Sequence, residues 1–295
     1  MKVIDPQTTP LLDFYQFMIG SIGPRPIAFV STMDKEGNAN LAPYSFFNAI
    51  SQNPPMVVFS AGRRVQDKTN KDTLENIEET MECVINVVNY GIVRQMTLTS
   101  VRYPKGVSEF EKAGLTPIAS DLVRPFRVKE SPAQMECKVE RIIPLGTEGG
   151  AGHLMICTIL RMHIDEQVLD AEGKRIDPQK MDLVGRLGKS YYTRAHGNAI
   201  FEIAQGEKPM IVGFDGLPES IRKSEVLTGN NIAQIAGLSE LPTKEDILTV
   251  KKDNRVQKTL FSGNILRGLH LLAQEELQKG NTDLGVKLAL LGEYL

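Results

Sequence analysis

Arg25 to Asn48 reads RPIAFVSTMDKEGNANLAPYSFFN, and this stretch decides how the rest of the chain folds. Ile27-Ala28-Phe29-Val30-Ser31-Thr32 is apolar and β-branched, as a strand requires. Asp34-Lys35-Glu36-Gly37-Asn38 supplies turn residues, and Asn40-Leu41-Ala42 carries the chain back as the second strand of a hairpin.

The same texture continues outward. Met56 to Ser60, after Pro54-Pro55, and Cys83 to Val88 are apolar runs short enough to be buried strands. Between them, Lys71 to Glu79 predicts a short helix capped by Asp72, with Glu75 completing a capping box. Further short helices are expected at Ile92 to Thr99 and at Ser108 to Ala113, the latter stopped by Gly114. Glu136 to Ile143, a glycine-rich loop and His153 to Leu160 read as a second hairpin, and Val168 to Ile176 as a further turn. Many short strands with few helices predict a closed antiparallel barrel, since closure removes exposed strand edges.

From about Gly197 the pattern becomes helical, with Ile265, Leu269 and Leu272 at three- and four-residue spacing and a last apolar segment at Val286 to Leu291. The run Gly213 to Pro218 reads as an ordered turn. The chain is therefore expected to be mainly β over residues 1–198 with an α-rich C-terminal region over 199–295 that packs on the barrel or on a dimer interface. There is no internal repeat.

With 34 lysines and arginines against 36 acids in 295 residues, there is no broad cationic field for nucleic acid or anionic lipid. Cys83, Cys137 and Cys157 form no C-x-x-C pair and suggest reduced thiols in a cytoplasmic protein. Met1 to Pro10 lacks the basic head and apolar run of a signal peptide, and no apolar stretch is long enough to span a membrane.

Three polar clusters are candidates for chemistry. Ser31-Thr32, facing Asn40 to Asn48 across the hairpin, offers small side chains and hydrogen-bonding groups to the edge of a flat heteroaromatic ring; it also reads as a polar hairpin end over a Phe46–Phe47 core. Ser60-Ala61-Gly62-Arg63-Arg64, continuing through Lys68 to Thr73 at a helix start, makes an anion site suited to a phosphate, or else a solvated basic loop. Gly146 to Gly152 is glycine-rich, but a strand follows it where a dinucleotide loop needs a helix, so a Rossmann site is excluded. His153 is placed either to donate to a ring near this loop or to serve the strand end structurally. The four histidines lack metal-ligand spacing and no serine sits in a G-x-S-x-G elbow.

Taken together, Arg25 to Asn48, Asn53-Pro54-Pro55, KDTLENI from Lys71 to Ile77, Asn86-Val87-Val88, Gly152-His153 and GRLGKSYY from Gly185 to Tyr192 resemble the flavin reductase-like family of FMN-binding split barrels. The resemblance implies a six-stranded Greek-key barrel that forms a homodimer and binds FMN near the interface. It implies that Ser31, Thr32, Asn40, Ala42, Ser45 and Phe46 line the isoalloxazine and ribityl chain, with Ser60 at the end of its strand in the same cofactor site. Arg63, Lys71 and Thr73 would hold the phosphate, and His153 would lie close to flavin and nicotinamide. The implied activity is transfer of hydride from NADH or NADPH to flavin, with a partner oxygenase or redox protein downstream. A flavoredoxin-like electron carrier and a non-catalytic flavin-binding protein need the same cradle and stay open as alternatives.

Overall fold

The computed structural model describes residues 1–104, 106–203 and 210–295, which form two compact units, Met1–Glu202 and Ile203–Leu295. In the first unit, α1 (Leu11–Ser21) precedes the hairpin β1 (Ala28–Met33) and β2 (Ala39–Tyr44), in which Ser31 lies opposite Leu41. Then come β3 (Phe47–Ser51), β4 (Met56–Gly62), α2 (Asp72–Thr80), β5 (Glu82–Val87), α3 (Val93–Leu98) and α4 (Glu109–Ala113). The long hairpin β6 (Ala133–Pro144) and β7 (Gly152–Ile164) completes the main sheet.

The sheet has seven strands in the order β2-β1-β5-β6-β7-β4-β3, all pairs antiparallel. The chain forms the split barrel that the resemblance implies, with seven strands where six were expected and an open sheet where the strand pattern predicted closure. The reason lies in one stretch of backbone: β2 pairs with β1, β3 pairs with β4, and only Ser45 and Phe46 separate them. The chain thus passes from one edge of the sheet to the other where the hydrogen-bond ladder stops.

Alternate side chains fill the two sides of the sheet. Val30, Phe59, Ile85, Cys137 and Met155 belong to one core, while Phe29 and Leu41 point the other way onto Met96, Phe110 and Leu115. All three cysteines are free thiols in the first of these cores. The Cys137 and Cys157 thiols beside it, together with burial, hold the Cys83 thiol well above its ordinary pKa, so it stays neutral and unreactive.

The α2 start differs from the expected capping box. Lys71 occupies the N-cap position and contributes no side-chain acceptor, and Asp72 instead lies 3.5 Å from the Arg64 guanidinium. The Ser108 to Ala113 segment follows its pattern: Ser108 caps α4 by accepting from the Glu111 amide, and Gly114 ends it in the left-handed region at φ 62°.

Asp121, Glu136 and His163 bring three possible metal ligands together. Glu136 is fully buried and its oxygens already accept from the amides of Asp121, Leu122 and Val123 at 3.0, 2.6 and 3.2 Å. His163 Nε2 lies 2.6 Å from it, and Arg161 occupies Asp121 at 2.7 Å. The cluster is a clamp that ties the 121–123 loop to β6 and β7.

The second unit is helical, with α5 (Gly229–Ala236), α6 (Lys244–Thr249), α7 (Asn254–Leu260), α8 (Ile265–Gln278) and α9 (Thr282–Leu290) around a core containing Ile221, Ile235, Val256, Leu269 and Leu288. Leu269 and Leu272, singled out by spacing, lie on α8, where Leu269 is fully buried and Leu272 packs against the core. No described helix is long and apolar enough to cross a membrane.

Candidate functional site

At the interrupted edge of the barrel a large cavity opens, a space of about 860 Å³. Its walls are Pro43 to Phe46 at the strand switch, Ser60 and Gly62 to Gln66 at the end of β4, Lys71, the loop Leu145 to Ala151, and Leu11, Leu12 and Tyr15 of α1. A smaller chamber of about 130 Å³ shares Pro43, Tyr44, Arg64 and Lys71 with it, and adds Asn40, Ala42, Asp72, Thr73, residues 99–103 and Glu109.

The charge at this place is lopsided. Arg64 is spent on the fold, donating to Thr69 Oγ1 at 3.2 Å and to the Asn70 carbonyl, with Asp72 nearby. Arg63 donates to the Lys68 carbonyl at 3.1 Å, while its Nε is buried without a partner. Neither Arg63 nor Lys71 has a carboxylate partner among the described residues. Burial, and then the Arg64 charge, push the Lys71 ammonium below its ordinary value, and its Nζ sits 5.0 Å from the centre of the Tyr44 ring. The start of α2 adds amides with no side-chain cap. The one carboxylate on the large cavity's wall, Glu148, is exposed and held by Lys68 at 2.5 Å.

The glycine loop is explained by close approach of two backbones. Arg63 N donates to the Ala151 carbonyl at 2.8 Å and Gly150 N to the Arg63 carbonyl at 3.1 Å. A Cβ on Gly149 would stand 2.6 Å from the Val65 carbonyl oxygen, so only glycine lets the loop dock here.

Of the residues expected at a cofactor site, Ser45, Phe46, Ser60, Arg63 and Lys71 line the large cavity, and Asn40, Ala42, Lys71 and Thr73 the small one. Ser31 and Thr32 are fully buried and reach neither. Thr32 Oγ1 accepts from Asn40 and Asn76 at 3.2 and 3.1 Å, and Asn40 also donates to Thr73 Oγ1 at 2.8 Å. This network couples the hairpin to the first turn of α2, so Thr32 acts on the cavity through Asn40 and Thr73. His153 lies opposite Ala61, on the face that carries Met155 and Cys157 into the core; it is buried, its Nδ1 has no partner, and it is not on either cavity wall.

Two residues escaped the sequence reading. Tyr44 lies on both cavity walls. Arg25 is buried and donates to the carbonyls of Ile19, Ile22 and Leu187 at 2.7, 2.6 and 3.1 Å, and to Ser45 Oγ at 3.4 Å. Its backbone pairs with Arg186, which brings RPIAFVST and GRLGKSYY together. One guanidinium therefore fixes the end of α1, the Leu187 turn and the strand switch that carries Phe46. No local signal marks this role, because Leu187 is 162 residues away.

A ring-sized cavity with apolar side chains on α1 and at Phe46, ending in cations without counter-charges, fits a flat ligand with one anionic end. On an open split barrel, this defines an FMN-binding split-barrel flavoprotein. The chain belongs to the flavin reductase-like family, whose domain model matches residues 21–179. A protein of Aquifex aeolicus is 36% identical over 189 residues, 64% of this chain and 93% of that protein. Among solved structures, nitrilotriacetate monooxygenase component B from Bacillus cereus is 36% identical with a TM-score of 0.64, over 69% of this chain and 98% of that one. The 2-nitrobenzoate 2-nitroreductase NbaA of Pseudomonas fluorescens is 30% identical with a TM-score of 0.59, over 69% and 96%. These matches leave about a third of the chain uncovered.

Proposed function

We propose that the chain is an NAD(P)H-dependent flavin reductase that binds FMN in the large cavity. The observation that carries this reading is the pairing of an apolar wall, Leu11, Leu12, Tyr15 and Phe46, with the uncompensated Arg63 and Lys71 at one end. Bound FMN would supply the redox chemistry, accepting hydride from a reduced nicotinamide, so no protein nucleophile is needed. Ser45 and Ser60 offer hydroxyls to the ring edge, α1 shields one side from water, and Arg63, Lys71 and Thr73 hold the phosphate. The chain's contribution is to orient the two rings and keep water out. His153, facing the barrel interior, has no part in this reading.

The monooxygenase component among the relatives supports delivery of reduced flavin to a partner oxygenase, and the nitroreductase supports direct reduction of a small acceptor. Anaerobic mixing of FMN-loaded protein with NADH and, separately, NADPH is the test. Rapid bleaching of the oxidised flavin bands by one of them is expected. Bound flavin that neither nucleotide bleaches would sink the reductase reading and leave the electron carrier or a non-catalytic flavin-binding protein.

Pairing with a second copy belongs to the same proposal. Leu160, Met162 and Ile164 follow one another at two-residue spacing on β7 and leave an exposed apolar stripe. Sedimentation of the full chain is expected to give twice the 32.7 kDa chain mass; a monomer that retains FMN would refute this part.

A further inference from the structure

Tyr44 carries a hydroxyl that the fold does not use. Its ring is satisfied: it packs in the barrel core, 5.5 Å from the Phe59 ring centre, and carries the Lys71 ammonium above it. Its oxygen is not. The residue is 4% exposed, and the hydroxyl is buried with no hydrogen-bond partner. Thr73 lies close by, its Oγ1 accepting from Asn40 at 2.8 Å. A phenylalanine would fill the same space without leaving a polar atom unpaired.

Tyr44 also stands where the two chambers meet, lining both with Arg64 and Lys71. The narrow chamber beside it holds Thr73, in the first turn of α2. Resting on the FMN reading above, we infer that the Tyr44 hydroxyl donates a hydrogen bond to the phosphate of the bound flavin and so selects the phosphorylated cofactor over neutral riboflavin. Burial pushes the phenol pKa up, which keeps its proton in place for that donation across the working pH range. Lys71 supplies the charge and Tyr44 the direction, a neutral donor that a cation on a flexible stem does not replace.

The test is titration of flavin-free full-length protein, wild type and Tyr44→Phe, with FMN and with riboflavin by flavin fluorescence, alongside thermal melts of both proteins without flavin. The expected result is a loss of FMN affinity of about tenfold or more in Tyr44→Phe, with riboflavin affinity unchanged and flavin-free melting temperature equal or higher. Equal FMN affinity in the two proteins, with wild type still preferring FMN to riboflavin, overturns the Tyr44 assignment and leaves the FMN reading standing. Equal weakening of both ligands, or a lower flavin-free melting temperature, overturns it as well, because the hydroxyl then serves the fold. A wild-type protein that binds both ligands alike overturns the phosphate site and the Tyr44 assignment together.

Discussion

Replacing Arg63 and Lys71 together by glutamine is expected to weaken FMN binding by about two to four orders of magnitude while leaving riboflavin binding nearly unchanged. Each side chain offers a charge-assisted hydrogen bond worth about 1.5–3 kcal/mol, and tenfold in affinity corresponds to about 1.4 kcal/mol. Neither cation gives up a carboxylate on binding an anion, so little of that gain is offset. The pH dependence follows from Lys71. A phosphate binds its protonated form, and burial places its pKa below the ordinary lysine range. FMN affinity should therefore fall as pH rises through that lowered value, earlier than for an exposed lysine, and the Lys71→Gln curve should lack this step. Isothermal titration across alkaline pH measures both effects. Unaltered FMN affinity in the double variant would place the phosphate elsewhere.

The second large effect is on stability. Arg25→Met should lower the free energy of unfolding by about 3 kcal/mol, from the loss of several hydrogen bonds by a charged donor and the exposure of buried carbonyls to no partner. The carbonyls of Ile19, Ile22 and Leu187 point at one guanidinium from two distant parts of the chain. Methionine fills the stem's space but serves none of them. Arg25→Lys should recover only part of the loss, because a single ammonium does not present the planar fork that these carbonyls meet. Denaturant titration at constant m-value provides the measurement; a change under about 0.5 kcal/mol would show that water satisfies those carbonyls instead. The cavity should suffer too, since Ser45 and Phe46 lie against the same guanidinium, the Phe46 ring at 6.0 Å.

The hairpins, the α2 segment and the helical tail were legible because each is written in local periodicity and turn chemistry. The cluster that we propose as the anion site was legible because Arg63, Lys71 and Thr73 are close in sequence. Three things were not. The split in the barrel occurs at Ser45-Phe46, where β2 ends its pairing with β1 and β3 begins with β4, and nothing in the composition there marks a change of partner. The burial of Ser31 and Thr32 and the inward face of His153 depend on strand parity and on what covers each face, and a one-residue step reverses the direction of a side chain. The Asp72 carboxylate, which local pattern assigns to a helix cap, is drawn to Arg64 instead.

By itself, then, the sequence determined a β-rich barrel domain followed by a helical region, a chain without excess charge, and a basic helix start suited to an anion. These follow from interactions among neighbours a few residues apart. Only the tertiary structure decided that the sheet stays open, that Arg25 gathers carbonyls from residues 19 to 187, and that Tyr44 lines two chambers with its hydroxyl buried and without a partner. Each of these depends on groups brought together by long-range packing, where direction and burial set the energy and local pattern carries no record of either.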